Sequence, residues 1–181
     1  LALAQITLSP QTPRLTQRFG ARVTGAFGML SLAAAFMLFA SLDAASPLWS
    51  VEVALFLIGV GIAFIMPSAS AAVMASVPAE RSGSASATSN AFRQIGGALG
   101  NAILGSVLAA VYRTEVTEHL HILPSTVRDT AAGSLQATQA VLDTIELPAS
   151  EAVSITAASQ EAFVAGFHAS ALIGAAVALL G

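Results

Sequence analysis

Cysteine is missing from all 181 residues, which excludes a disulfide framework and a thiolate metal site. Lysine is missing as well, so the seven basic residues are all arginine. Charge of either sign is scarce: charged residues make up 9% of the chain, against about 25% in an ordinary soluble domain. The net charge of −3 is too small to draw in a nucleic acid. Enzyme signals are lacking too, with no nucleophile beside a partner base, no paired carboxylates in an apolar setting and no phosphate loop. Gly96 and Gly97 fall inside a helical run and follow no strand, so a dinucleotide fingerprint is excluded. No cofactor or metal is therefore expected.

What is present is apolar. The apolar share is 55% and the mean hydropathy +0.77, values that belong to integral membrane proteins. A bilayer-spanning helix needs about 20 predominantly apolar residues, and the chain divides on that measure. Leu1 to Leu8 reads as the tail of one span, closed by Pro10 and Pro13. Residues 23–42 lack any charge and form a second. Residues 48–77 form a third, with Glu52 near its start and Pro67 well inside. Residues 83–112 form a fourth, entered through the polar turn that carries Glu80 and Arg81. Residues 161–181 form a last span that stops inside an apolar run. The expected fold is an all-α membrane bundle of about four spanning helices plus the end of a fifth, and the chain reads as a piece of a longer protein with no signal peptide.

Residues 113–160 differ from the rest. Six acids (Glu115, Glu118, Asp129, Asp143, Glu146 and Glu151) outweigh Arg113 and Arg128, giving net −4 (two minus six). Weak apolar periodicity between Leu135 and Leu147 allows a short surface helix there, but nothing is apolar enough to span. Basic residues stay on the cytoplasmic side of short loops. The segment with Arg14, Arg18 and Arg22 is thus assigned inside and the acidic turn at Asp43 outside. The turn at Arg81 is inside again, and 113–160 is outside as an acidic loop.

Within lipid, small residues let helix backbones approach. Ala162, Gly166, Ser170, Gly174 and Ala178 recur every fourth residue as one stripe, and Gly96 and Gly100 have GxxxG spacing. Gly59, Gly61 and Ala63 serve the preceding helix in the same way. Bundle packing accounts for these, and a sliding surface between moving helices is the sharper alternative. Pro67 removes a backbone hydrogen bond, and a static bend and a flexible point in gating both fit. Arg93 lies before about 28 Å of uncharged helix, Gln94 to Tyr112, so it suits an interfacial anchor or a cytoplasmic gate. Asn90, Arg93 or Gln94, Gly97 and Asn101 share one helix face that lipid tails could not satisfy. Asn101 is the deeper cavity-lining candidate. His168 stands as a hydrogen-bonded neutral side chain or as a proton relay.

Three stretches carry a family resemblance. PRLTQRFGAR with Gly25 and Gly28 is similar to the basic loop between the second and third helices of a six-helix half in major facilitator superfamily transporters. Gly59 to Asn90 and Phe92 to Tyr112 resemble the penultimate inward helix, its turn and the following helix in the fourteen-helix drug:proton antiporter branch. The resemblance implies proton-coupled efflux of small amphipathic compounds or antibiotics by alternating access. The partners would be the substrate, protons, the lipid of the cytoplasmic membrane and the remaining helices of the full-length protein. It would place Arg14, Arg18, Gly20 and Arg22 in a cytoplasmic gating loop. Arg81, Gly83, Asn90, Arg93, Gln94, Gly96, Gly97 and Gly100 would form the signature of the helix after the second turn, with Pro67 ahead of them. The family loop often carries Asp where this chain has Gln17 and Gly where it has Pro13, so a charge–dipole latch built on that Asp could not form. A membrane scaffold or sensor with the same helices and no transport is the alternative.

Overall fold

A computed structural model describes residues 12–43, 46–145 and 147–181. The expected helix tail at Leu1 to Leu8 and the position of Glu146 lie outside the described residues. Seven α-helices and a short 3₁₀ turn follow in order among those described. We number them α1 Thr12–Phe19, α2 Ala21–Phe39, α3 Leu48–Ala75, α4 Ser82–Thr117, α5 Ser125–Ala131, α6 Leu135–Leu142 and α7 Ala149–Leu180. Four stretches are long and apolar enough to cross a membrane: Ala21–Phe39, Leu48–Ala75, Ala79–Thr117 and Ala149–Leu180. The fold is all-α, as the charge-free runs require.

Two compact units form, Leu1–Asn101 with Ala171–Gly181, and Ala102–Ser170. The first is organised by the α2–α3 pair. A Cβ built on Gly28 would lie 2.9 Å from the Gly61 carbonyl oxygen, and one on Gly61 2.9 Å from the Gly28 carbonyl oxygen. Backbone meets backbone there because neither residue has a side chain. Once the helices are this close, the Ser31 hydroxyl reaches the Leu57 carbonyl at 2.8 Å. Farther along, the Thr24 and Ser68 hydroxyls pair at 2.9 Å. Phe27 and Phe64 meet edge to face, with centroids 5.1 Å apart. Gly59, Gly61 and Ala63 are all buried.

The segment read as a basic loop is mostly helix: α1 carries Arg14 and Arg18, and Gly20 separates it from α2. Gly20 has φ 84° and ψ 155°, a region that is essentially open to glycine alone. The bend is therefore written into the residue type. Pro13 fits because the first turn of a helix has no use for its missing N–H.

The second unit departs from the expected acidic loop. α4 continues to Thr117 and α7 already begins at Ala149, so two short helices, α5 and α6, are enclosed between long helix ends. Pro148 explains the early start of α7: its carbonyl accepts from the Glu151 and Ala152 amides at 2.9 and 3.1 Å. Ser150, Glu151, Ser154 and Gln160 hid this extension from a reading based on apolarity. Tyr112, Val116, Leu120, Leu123, Val141 and Ile155 close into one core. Glu115, Glu118, Asp129 and Asp143 face outward. Within 113–160 these acids thus lie outside and the large apolar side chains of the core inside.

The small-residue stripe on α7 is buried at all five positions. In the second unit Gly166 lies against the backbone of Leu108, whose oxygen would be 2.7 Å from an added Cβ, and Ser170 donates to the Leu104 carbonyl at 2.9 Å. In the first unit Gly174 faces the ring of Phe36. Gly28→Ala and Gly61→Ala should each lower the stability of the full-length protein by about 1–3 kcal/mol, the usual range for overpacking. Thermal unfolding in detergent would check this, and the double variant should cost less than the sum because the two residues share one contact.

Candidate functional site

The first polar constellation surrounds α1. Its face is set by helical spacing: Thr12 is buried and Leu15 and Thr16 are half-buried, while Pro13, Arg14, Gln17 and Arg18 are exposed. Leu15 packs on Val60 and Phe64 of α3. Arg18 extends over the neighbouring Phe19 ring, 5.6 Å from its centroid. Arg22, on the exposed side of α2, lines an apolar cleft of about 580 Å³ together with Gly25, Met29, Ile65 and Ser68. Arg113 and Asp129 form an ion pair, 3.3 Å apart and exposed on both sides. Such a pair contributes little to stability, and Arg14, Arg18 and Arg22 have no part in it.

Pro67 lies half-buried in α3, and the helix is continuous through it. Its nitrogen has no hydrogen to donate to the Ala63 carbonyl four residues back. The Thr12 hydroxyl supplies that donor from α1 at 3.1 Å. Ser68, the next residue, donates to the Phe64 carbonyl at 2.7 Å and pairs with Thr24. Thr24 in turn has the Gly20 carbonyl 3.0 Å from its hydroxyl and receives Thr16 at 3.4 Å. The glycine bend and the proline turn are thus tied by one chain of hydroxyls.

The second constellation lies where α3 and α4 approach. The 3₁₀ turn Ala79–Arg81 delivers the chain into α4. A cleft of about 580 Å³ opens between Ser70, Val73 and Met74 of α3 and Gly83, Ser86 and Arg93 of α4. The Arg93 guanidinium hydrogen-bonds Asn90 Oδ1 one turn back and reaches Met66 Sδ at 3.9 Å. Arg81 lies beside a neighbouring cleft with Val77, Ser84 and Phe92. Asn90 and Arg93 are brought together, as their spacing of three predicts.

Along α4 the expected packing surface meets no partner among the described residues. Gly83, Gly96, Gly97, Gly100 and Gly105 have nothing within 4 Å of an added Cβ. Gln94 and Asn101 are exposed, and only 6% of the helix's most apolar window is buried. His168 is half-buried on α7 and has an interaction partner.

Sequence reasoning missed the hydroxyls. Thr12, Thr24 and Ser68 are buried and bonded between elements. In the second unit Tyr112 and Thr138 share a buried bond of 2.6 Å, and Thr138 also donates to the Ala131 carbonyl at 2.7 Å. The available signal was a threonine or serine inside an apolar run, since its hydroxyl must find an acceptor once water is gone.

A family model of the Major Facilitator Superfamily matches residues 1–123, well over half of the chain. The chain belongs to that superfamily. Members of the superfamily are multi-pass membrane transporters and not enzymes. Among curated relatives, Multidrug resistance protein Stp of Mycobacterium tuberculosis is 40% identical over 114 residues, which cover 62% of this chain and 21% of that protein. Multidrug efflux pump LfrA of Mycolicibacterium smegmatis is 35% identical over 107 residues, 59% of this chain and 21% of that protein. The matched part thus spans about a fifth of the length of these relatives. No solved structure gives a significant match. For this superfamily member, Thr24→Val should cost about 0.6 kcal/mol and at most about 1.7, the range for hydrogen bonds between membrane helices. Unfolding of the full-length protein would measure it, and Ser68→Ala in the Thr24→Val background should add little because one bond is shared.

Proposed function

We propose that this chain is the C-terminal helical part of a proton-coupled exporter in the fourteen-helix drug:proton antiporter branch. Its substrates would be small amphipathic compounds or antibiotics, moved outward across the cytoplasmic membrane by alternating access. The observation that carries this reading is the 40% identity over 114 residues to a protein named for multidrug resistance. A second relative named as a multidrug efflux pump points the same way.

The surface of α4 supports the reading. Asn90, Gln94, Gly97 and Asn101 are exposed within this chain, and amides facing lipid tails would lose hydrogen bonds that water or protein supplies. Helices of the full-length protein would cover the glycines, and a hydrated path would satisfy the amides. In this arrangement Arg14, Arg18, Gly20 and Arg22 form part of the cytoplasmic gate, with Arg81 on the same side. Arg93, held by Asn90 within α4, pairs with a carboxylate or helix C-terminus that closes the gate. The helical unit between α4 and α7 stands on the outer side. Asn101 and His168 are the candidates for lining the path.

Dye accumulation in cells that express the full-length protein tests the reading, with and without a protonophore. Wild type should lower accumulation, and the protonophore should abolish the difference. Arg93→Ala, inserted at normal levels, should lose transport by about tenfold or more, the scale of one lost charged contact. Equal pumping by the variant would reduce Arg93 to an anchor. A wild-type protein that changes accumulation of no dye in a broad panel would sink the multidrug reading and favour a scaffold.

A further inference from the structure

The Ala63 carbonyl is a special acceptor. Proline at 67 leaves it without its α-helical donor, so while α3 keeps its regular helical form the donor must come from outside its backbone. Inside lipid an unpaired carbonyl is costly because water is absent. Here the donor arrives from another element: Thr12 Oγ1, fully buried, at 3.1 Å. Leu15, nearly one turn along α1, rests on Val60 and Phe64 of the same stretch of α3. Thr16 continues the face and joins Thr24, which pairs with Ser68 directly after the proline. Two positions on the inner face of α1, Thr12 and Leu15, therefore engage α3 beside Pro67, and a third, Thr16, reaches it through Thr24. The arginines of α1 stand on its exposed side.

We propose that Thr12 is a positioning residue that seats the basic helix α1 on the proline-opened turn of α3, so that lifting α1 and reshaping α3 at Pro67 are one coupled event. When α1 lifts, the Ala63 carbonyl loses its only outside donor among the described contacts. The helix then relaxes until water or another group reaches that oxygen. When α1 returns, the bond selects the seated form of the turn. A hydroxyl is sufficient for this, and no charge is needed, which suits a chain with Gln17 where a charge-based latch would require an acid. The consequence for transport rests on the exporter reading above; the seat itself does not.

The test uses the full-length protein in lipid nanodiscs as wild type, Thr12→Val, Thr12→Ser, Pro67→Ala and the Thr12→Val/Pro67→Ala double variant. Hydrogen exchange of the amides in residues 12–19 is read alongside dye export in cells. Thr12→Val should speed exchange there by roughly tenfold, the factor that goes with an orphaned buried acceptor. Thr12→Ser, which keeps the hydroxyl, should stay near wild type. Pro67→Ala restores a backbone N–H that serves the Ala63 carbonyl, so adding Thr12→Val in that background should change exchange by only about twofold. Export should fall with Thr12→Val and recover in the double variant. No change on Thr12→Val, or the same acceleration with and without Pro67, overturns the seat. If exchange follows the expected pattern while even wild type exports nothing, the exporter reading fails and the seat stands.

Discussion

Inside a bilayer every main-chain polar group must find its partner within the protein, and the architecture of this chain follows from where backbones come close enough to share them. At Gly28 and Gly61 two helices touch through their main chains. That contact brings Ser31 within reach of the Leu57 carbonyl and Thr24 within reach of Ser68. At Gly166 the same geometry recurs against Leu108, and Ser170 reaches the Leu104 carbonyl. Glycine removes the obstacle, and a nearby hydroxyl then donates across the gap. Dispersion and these bonds together replace the hydrophobic drive that lipid cannot provide.

The proline in α3 uses the same chemistry with the roles inverted. A missing donor on one helix creates a demand that a short, basic helix satisfies with Thr12. α1 is thus joined to the apolar core by hydroxyls and one leucine, while its arginines remain on the exposed side. The part of the second unit at 113–160 follows different rules. Its acids face out, its large side chains close inward around Tyr112, Leu120, Leu123 and Ile155, and Arg128 donates to the His121 and Leu123 carbonyls at 2.9 Å to hold the turn before α5. The facing ends of α4 and α7 in this chain therefore carry a structured assembly with its charges outward.

Much of this was legible in one dimension. The runs at 23–42 and 48–77 are charge-free or nearly so, and α2 and α3 occupy them. The stripe from Ala162 to Ala178 could be read by counting fours, and all five residues are buried. The Gly96–Gly100 spacing was equally visible, yet those glycines meet nothing among the described residues. A spacing states that a surface is smooth; it does not say what lies against it. The helix at 135–142 lies where weak apolar periodicity allowed one, whereas the helix at 125–131 was obscured because its apolar residues are sparse and join a core only when the ends of α4 and α7 are added.

By itself the sequence determined that the chain belongs in a membrane and that it holds four runs long and apolar enough to cross one, because hydrophobicity and charge are properties of local composition. Only the tertiary structure decided that Thr12 serves the carbonyl freed by Pro67, that Thr24 meets Ser68, and that Tyr112 meets Thr138. Each of those bonds joins residues far apart in the chain. A lone hydroxyl in an apolar run announces a need for an acceptor, and only the packing of distant helices says which acceptor answers it.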